Sequence, residues 1–336
     1  MNHCALAICL LLPGYGLAQS FLPDSPILAS HERDTSSYTA YHQTIVQAEE
    51  LIADQHYEAA LGLYQQVIGS KNFIFLREYK LATQLALQVG QTQEAFTYLK
   101  KGIASGWAMK SIKKNEFLRK LQRFPEWKDV DNQYDSLRGV YLKRIDLENR
   151  AVVKKLFATD QRKALGALFR FTSKGQERYA EKRFAPHSAK QLARLNAIID
   201  TYGYPGEKLI GNSYWAAVIL SHHNSISKNH TLTDTLYANI RPKLLKAIQL
   251  GQMSPHEFAM IETWYSSIKS GQKAYGYLSD VLTKTEQAEA DRLRHEIGLC
   301  SVETTNRLLD REQQTGLNVY LPLRSAFYAR KITVIE

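Results

Sequence analysis

The sequence has few cysteines, with only Cys4, Cys9 and Cys300 in 336 residues. The first two lie in a segment that we expect to be removed, so the mature chain keeps one thiol and forms no internal disulfide. Stability must then come from burial, for which a chain of this length has ample residues. After the first residues, no apolar run reaches the roughly 20 residues that a membrane-spanning helix needs.

Motifs that define a reaction are also missing. The sequence contains no nucleophile elbow, phosphate-binding glycine loop, HExxH, cysteine-rich pattern or paired-carboxylate motif. We therefore assign no catalytic residue, no cofactor and no metal ligand.

The histidines at 222, 223, 230 and 256 fit a hydrogen-bonded role better than a metal site. Adjacent histidines point in different directions on a helix, and the seven-residue step to His230 crosses a helix end.

The N-terminus has the layout of a signal peptide. Residues 5–12 are all apolar, Pro13 and Gly14 end the run, and Gly16 and Ala18 are small residues at the positions that a signal peptidase requires. We predict cleavage after Ala18, followed by a polar leader. The sequence thus predicts an exported protein, periplasmic or extracellular, with no transmembrane segment after cleavage.

Basic charge is concentrated in the middle of the chain. The formal net charge is +10, and residues 101–183 hold 21 Lys and Arg against 10 Asp and Glu. Such a segment could dock on an acidic envelope surface, or it could be a solvated helical face that keeps the protein soluble. We prefer the second interpretation, and the export signal argues against nucleic acid as a partner.

Helical periodicity begins near residue 41 and repeats. The turn at 54–56 separates two apolar faces, a second turn follows at 89–92, and Ala60 and Ala95 occupy equivalent positions 35 residues apart. This pattern resembles two tetratricopeptide-like hairpins over residues 41–103, whose unit length is about 34 residues. The resemblance implies a surface that binds a peptide or protein. Leu118, Leu121, Phe124 and Trp127 are expected to cap the array.

From about residue 136 onward, the sequence pattern predicts helices throughout. A long helix is expected over 138–170, and further helices near 188–202, 213–224, 233–250, 254–270 and 286–296, with Ser188 and Ser254 as N-caps. The stretches "LNAIIDTYGYPGEKLIG", "AAVILSHHN", "LLKAIQLGQMSPHEFAMI", "AYGYL" and "RLRHEIGL" resemble a bacterial family of helical domains of unknown function. The chain departs from that family at Thr263-Trp264, where an Asp-Arg pair is usual, and at Lys273, where Gln is usual.

The resemblance implies no known activity, but it marks a candidate polar site. Its members match family positions or adjoin them, and we expect them either to line a cleft or to form a structural network: Asp160, Gln161, Arg162, His222, Tyr275 and Arg294.

Together these features predict an all-α protein with tetratricopeptide-like helical hairpins followed by a C-terminal α-helical domain. The predicted function is a protein- or peptide-interaction module of the bacterial envelope. The alternative is an enzyme that uses a polar cleft around Arg162 and His222. The predicted segments are a signal peptide (1–18), a polar leader (19–37), the array with its cap (38–130), the helical domain (136–312) and a C-terminal tail (313–336).

Overall fold

The computed structural model describes residues 37–167, 169–321 and 331–336. The predicted signal peptide, and the leader except for Ser37, lie outside these described residues. Sixteen α-helices make up most of the described chain, with short 3₁₀ and π segments and one pair of short strands. The all-α prediction is therefore confirmed.

Two consecutive helical hairpins open the described chain. Their connections are short, so each pair packs side by side, and Ala60 and Ala95 are both fully buried where the helices approach closely. A short helix, a 3₁₀ segment and a long helix follow. The bounds of this part are α1 (Thr39–Ala53), α2 (Tyr57–Ser70), α3 (Leu76–Gln88), α4 (Thr92–Ala104), α5 (Met109–Lys114), a 3₁₀ segment (Phe117–Arg123) and α6 (Glu126–Arg144).

The predicted cap covers the second hairpin with one difference. Leu118, Leu121 and Trp127 are buried in the same apolar core as the hairpins. Phe124 is 39% exposed, although its ring meets the edge of Phe96 at 6.3 Å between centroids. This ring shields the hairpin from the side instead of entering the core.

Most of the remaining helices contribute to a second apolar core. Their bounds are α7 (Leu147–Leu165), α8 (Ser173–Tyr179), a π-helical turn (Ala180–Phe184), α9 (Ala185–Tyr202), α10 (Glu207–Ile210), α11 (Trp215–Asn224), α12 (Lys228–Thr233), α13 (Leu236–Gln249), α14 (Pro255–Ser270), a 3₁₀ turn (Ala274–Gly276), α15 (Lys284–Ile297) and α16 (Val302–Thr315).

The single long helix expected over 138–170 is wrong. The chain breaks after Arg144, where Ile145 is extended and Asp146 starts α7 by accepting the N–H of Asn149 at 2.8 Å. Aspartate at this position binds the free N–H groups of the next helix, so it favours a new start over continuation. The apolar Leu147, expected on a buried face, is 55% exposed.

The two predicted N-caps had different outcomes. Ser254 caps α14 in a capping box with Glu257, as expected. The prediction for Ser188 is wrong, because α9 already begins at Ala185 and Ser188 is a buried interior residue. Its hydroxyl lies 3.0 Å from Nδ1 of His223 on α11. The Ser188 side chain therefore contacts a residue on another helix, whereas the sequence suggested that it would cap the backbone of its own helix.

The C-terminal residues contact both the hairpins and the later helices. Strand β1 (Val281–Thr283) pairs in parallel with β2 (Thr333–Ile335), so part of the predicted tail is an extended strand. Helix α16 packs on α1, and its Leu308 is buried in the core of the hairpins together with Leu317 and Cys300. The hairpin core is therefore completed by residues from the C-terminal end.

Candidate functional site

The six residues predicted as one polar site lie in separate places. Asp160 and His222 form a buried pair between α7 and α11, whereas Tyr275 and Arg294 form a second buried group between the 3₁₀ turn and α15. Within the described chain, no hydrogen bond or ion pair joins the two groups. Two of the six, Gln161 and Arg162, belong to neither group.

Asp160 and His222 are in direct contact. Oδ2 of Asp160 lies 2.6 Å from Nδ1 of His222, and both side chains are almost fully buried beside Phe184. Such a contact fixes the orientation of the imidazole ring and leaves Nε2 at its other end. Neither that Nε2 nor Oδ1 of Asp160 has a hydrogen-bond partner among the described residues. The pair is a strong link between α7 and α11, but its burial keeps large substrates away.

Arg162 does not share the face of Asp160. Residues two apart on a helix point to nearly opposite sides, and Arg162 is exposed while Asp160 is fully buried. Gln161 is half-buried, and its Nε2 is enclosed without a partner. The structure therefore does not bring Arg162 and His222 together in a cleft.

Arg294 has the contacts of a structural residue. It is 1% exposed and donates to the carbonyl of Tyr275 at 2.9 Å, to the carbonyl of Cys300 at 3.1 Å and to Oγ1 of Thr305 at 2.8 Å. Tyr275 has a positive φ of 58°, a backbone conformation that residues other than glycine usually avoid. The hydrogen bonds of Arg294 thus link the strained 3₁₀ turn at Tyr275 to the first turn of α16.

The other three histidines of the sequence analysis, His223, His230 and His256, lie in two further environments. Nδ1 of His256 lies 3.0 Å from the hydroxyl of Tyr277, and burial holds the pKa of His256 well below its usual value. His223 and His230 instead meet with ring centroids 4.8 Å apart, beside Asp234. Burial and the neighbouring His223 lower the pKa of His230. Although burial opposes it, His223 and the backbone N–H groups of Tyr237 and Leu236 bring the pKa of Asp234 to about 2.

A different site lies on the inner face of α3, where the chain holds its own C-terminal segment, residues 317–321. Gln84 and the backbone of Asn318 form two hydrogen bonds, with the Asn318 N–H donating to Oε1 at 3.0 Å and Nε2 donating to the carbonyl at 2.8 Å. Arg77, two turns earlier, donates to the carbonyls of Val319 at 3.1 Å and Tyr320 at 3.3 Å. Three successive carbonyls are therefore bound by side chains of one helix. We call this surface the α3 groove.

Apolar contacts hold the same segment. Leu317 and Val319 are buried in the hairpin core, and Tyr320 meets Trp107 edge-on at 6.3 Å between ring centroids. The ammonium of Lys80 lies 4.8 Å from the centre of the Tyr320 ring. Leu317 and Val319 thus enter the core, while polar side chains bind the main-chain carbonyls of residues 318–320. The backbone turns at Tyr320, where φ is 48°.

The α3 groove was not among the predicted site residues. A signal for it exists, because Arg77 and Gln84 are seven residues apart on a helix whose other positions are largely apolar. Polar side chains two turns apart on one face of such a helix need partners when they are buried. The sequence gives no means of naming those partners, since they lie more than 200 residues further along the chain.

Buried carboxyl groups lie next to the groove. Glu49 forms an ion pair with Arg77 at 2.6 Å, and Glu207 accepts the N–H of Leu76 at 2.6 Å. Glu78 is 5% exposed, and burial raises its pKa to about 8 despite the nearby Arg77. The N-terminal end of α3 is therefore an enclosed polar junction between the hairpins and the later helices.

No protein-family profile, curated protein or solved structure matches this chain. In the part of the chain that the structure describes, no helix is both long and apolar enough to cross a bilayer.

Proposed function

We propose that this protein is an exported peptide-interaction module of the bacterial envelope, and that the α3 groove is its binding surface. The observation that carries the proposal is the capture of three successive main-chain carbonyls by Gln84 and Arg77. Contacts to the main chain do not depend on side-chain identity, so a groove that binds one such segment suits others with apolar residues at the same spacing. The ligand class is a peptide with apolar residues at alternate positions and an aromatic residue near its end.

Three further expectations belong to this proposal. The hairpins α1–α2 and α3–α4 are proposed to be tetratricopeptide-like units, because they are consecutive packed helix pairs with Ala60 and Ala95 buried at equivalent positions 35 residues apart. The later helices are proposed to belong to the bacterial family that their motifs resemble. Export rests on the apolar segment and small residues before position 19.

The test uses a synthetic peptide with the sequence of residues 316–322 and a full-length chain that carries Leu317→Asp and Val319→Asp. Burying two carboxylates in the apolar core is unfavourable, so the substitutions release the internal segment and leave the α3 groove unchanged. Fluorescence anisotropy of the labelled peptide measures binding. We expect saturable binding to this variant and much weaker binding to the unaltered chain.

A matched pair of further substitutions identifies the surface. Gln84→Ala, added to the released variant, removes two hydrogen bonds to the main chain and should weaken peptide binding about 10-fold or more. Gln88→Ala, on an exposed position of the same helix, should have no effect. Circular dichroism checks that all variants are folded. Equal affinities for the Gln84 and Gln88 variants, or no binding by a folded released variant, would contradict the proposal.

A second candidate function is docking on an anionic lipid surface. The side chains of Phe169 and Phe171 are 73% and 98% exposed, and Arg170 and Lys174 beside them are exposed as well. Aromatic rings flanked by basic residues favour the interface of an acidic bilayer, where each cation contributes about 1 kcal/mol. This surface lies in the strongly basic middle of the chain.

Sedimentation with lipid vesicles tests this candidate. We expect binding to vesicles that contain phosphatidylglycerol, weaker binding as salt rises, and loss of binding for Phe169→Ser combined with Phe171→Ser. Tyr202→Ser, which removes another exposed aromatic ring, is the control. Equal binding to neutral phosphatidylcholine vesicles, or binding that is insensitive to salt, would exclude electrostatic docking on an anionic lipid surface.

The enzyme alternative has weaker support. It requires Arg162 and His222 to share a cleft, but Arg162 is exposed on α7 and His222 is 5% exposed between α7 and α11. A general base must reach its substrate within hydrogen-bond distance or through one water molecule. The interaction module is therefore the function that we propose.

A further inference from the structure

A second group of side chains, unrelated to the α3 groove, has the composition and spacing of a metal site. His223 lies in the last turn of α11, His230 lies in α12, and Asp234 directly follows α12. One donor atom from each of the three residues lies within 4.8 Å of the others. Two imidazoles and a carboxylate are ligands that Zn²⁺ accepts, commonly with a fourth position left for water.

The geometry of His223 and Asp234 fits a shared ion better than a mutual hydrogen bond. Nε2 of His223 lies 3.2 Å from Oδ2 of Asp234, yet it is not aligned to form a hydrogen bond with that oxygen. Two ligands of a tetrahedral Zn²⁺ with bonds near 2 Å are about 3.3 Å apart, so this spacing is already that of a coordination edge. His223 is 1% exposed, which leaves its Nε2 with no access to solvent.

His230 supplies a second nitrogen without a partner. Its Nε2 is buried and has no hydrogen bond within the described chain. The His230 side chain as a whole is only half-buried, on a helix of six residues, so a small rotation can bring Nε2 onto an ion held by the other two groups. A buried nitrogen without a partner is costly, and coordination removes that cost.

The neighbours of these residues hold them in orientations suited to coordination. The Ser188 hydroxyl lies 3.0 Å from Nδ1 of His223, where it can accept the Nδ1–H of the tautomer whose Nε2 carries the free electron pair. The backbone N–H groups of Leu236 and Tyr237 donate to the two oxygens of Asp234 at 3.2 and 2.8 Å. Each carboxylate oxygen accepts more than one bond, so Asp234 can start α13 and bind an ion at the same time.

We propose that His223, His230 and Asp234 form a binding site for a transition-metal ion of the Zn²⁺ class. The ligands are His223 Nε2, His230 Nε2 and one Asp234 oxygen, with Ser188 as a positioning residue. Mg²⁺ and Ca²⁺ prefer sites made of oxygen ligands, so this site discriminates against them.

The test titrates the full-length, untagged chain with Zn²⁺ and with Co²⁺ after removal of metals by a chelator. Calorimetry should give one Zn²⁺ per chain, and Co²⁺ should give the visible absorption of a tetrahedral complex. Zn²⁺ should also raise the Tm, because it binds the folded chain. His230→Gln and Asp234→Asn should each weaken Zn²⁺ binding on the order of 100-fold, and Ser188→Ala about 10-fold.

Two controls make the result decisive. His295→Gln removes an exposed histidine on α15 and should leave Zn²⁺ binding unchanged. If His230→Gln does not fold, His230→Cys keeps a ligand at the same place and should add a thiolate-to-Co²⁺ charge-transfer band. The proposal would be overturned by absence of Zn²⁺ binding to the unaltered chain, by His230→Gln and Asp234→Asn variants that bind Zn²⁺ as tightly as the unaltered chain, or by a folded His230→Cys variant without the new band. None of these outcomes depends on peptide binding at the α3 groove.

Discussion

Glu78 shows how a single buried side chain controls the response of this protein to pH. Burial raises its pKa to about 8, so the native protein keeps the proton on Glu78 at neutral pH. In the unfolded chain the same carboxyl loses its proton above its ordinary pKa of about 4.3. The contribution of Glu78 to stability is therefore complete below that value and is lost as pH rises towards 8. Glu257, whose pKa burial also raises to about 8, acts in the same direction.

We predict that the free energy of unfolding falls between pH 6.5 and 8, and that Glu78→Gln makes this fall shallower. One carboxyl that stays protonated only in the native state contributes a slope of about 1.4 kcal/mol per pH unit. The buried His42, whose pKa burial lowers to about 4, changes stability only at lower pH, below the usual histidine pKa.

Urea denaturation across this pH range measures the slope for the native chain and for Glu78→Gln. The exposed Glu58→Gln serves as the control and should keep the slope of the unaltered chain. Parallel curves for the Glu78 and Glu58 variants would show that Glu78 is ionised in the folded protein.

Residue by residue, the sequence predicted some polar partners and missed others. Asp160 and His222 were expected to lie close together, and they are in contact. The adjacent His222 and His223 were expected to point in different directions, and they have different partners. The contact between His223 and His230 was not predicted: α11 ends at Asn224 and the chain turns back through α12, which brings His230 to His223. Such a reversal depends on the tertiary path of a short connection, and helical spacing does not contain that information.

At the scale of the elements, glycines at the ends of helices determine how closely helices approach. Gly271 ends α14 and Gly298 ends α15, and both have a positive φ, 76° and 80°. Their surroundings differ. A Cβ at position 298 would lie 2.5 Å from Cβ of His42 on α1, whereas a Cβ at 271 would meet nothing within 4 Å. Gly298 therefore allows the end of α15 to contact α1.

We predict that Gly298→Ala destabilises the protein far more than Gly271→Ala. Both substitutions place a side chain in the left-handed region, at a cost of about 1 kcal/mol. Only Gly298→Ala also forces α1 and α15 apart, which adds about 1–3 kcal/mol. Thermal or urea unfolding of the two variants gives the comparison. A difference within experimental error would mean that the α1–α15 contact contributes nothing to stability.

Most helices could be predicted from periodicity and end signals. Gly203, Gly251 and Gly271 follow helices as expected, and Ser254 starts α14. The break between α6 and α7 was missed because apolar residues continue through it at helical spacing. Several of those residues are exposed, so periodicity identified a helix there but not a buried face: Val140, Leu147 and Val152.

At the scale of the whole molecule, the all-α class followed from the sequence, but the way in which the ends of the chain meet did not. Helix α16 is strongly amphipathic, which predicts a partner without identifying it. The partner is α1, more than 240 residues earlier, and the two helices are joined further by Arg311, which donates to the carbonyl of Ala53 at 2.9 Å. Packing against α16 thus gives the two hairpins additional buried apolar surface.

The occupied α3 groove has a consequence for any peptide from outside. Residues 317–321 follow the C-terminus of α16 directly, so the tether holds them near the groove at an effective concentration on the order of millimolar. A free peptide at micromolar concentration must bind about a thousandfold more tightly than the tethered segment to occupy half of the molecules. For the proposed peptide ligand, the tether therefore sets an affinity threshold: weak, abundant peptides are excluded, and only a ligand that makes better contacts than residues 317–321 make can bind.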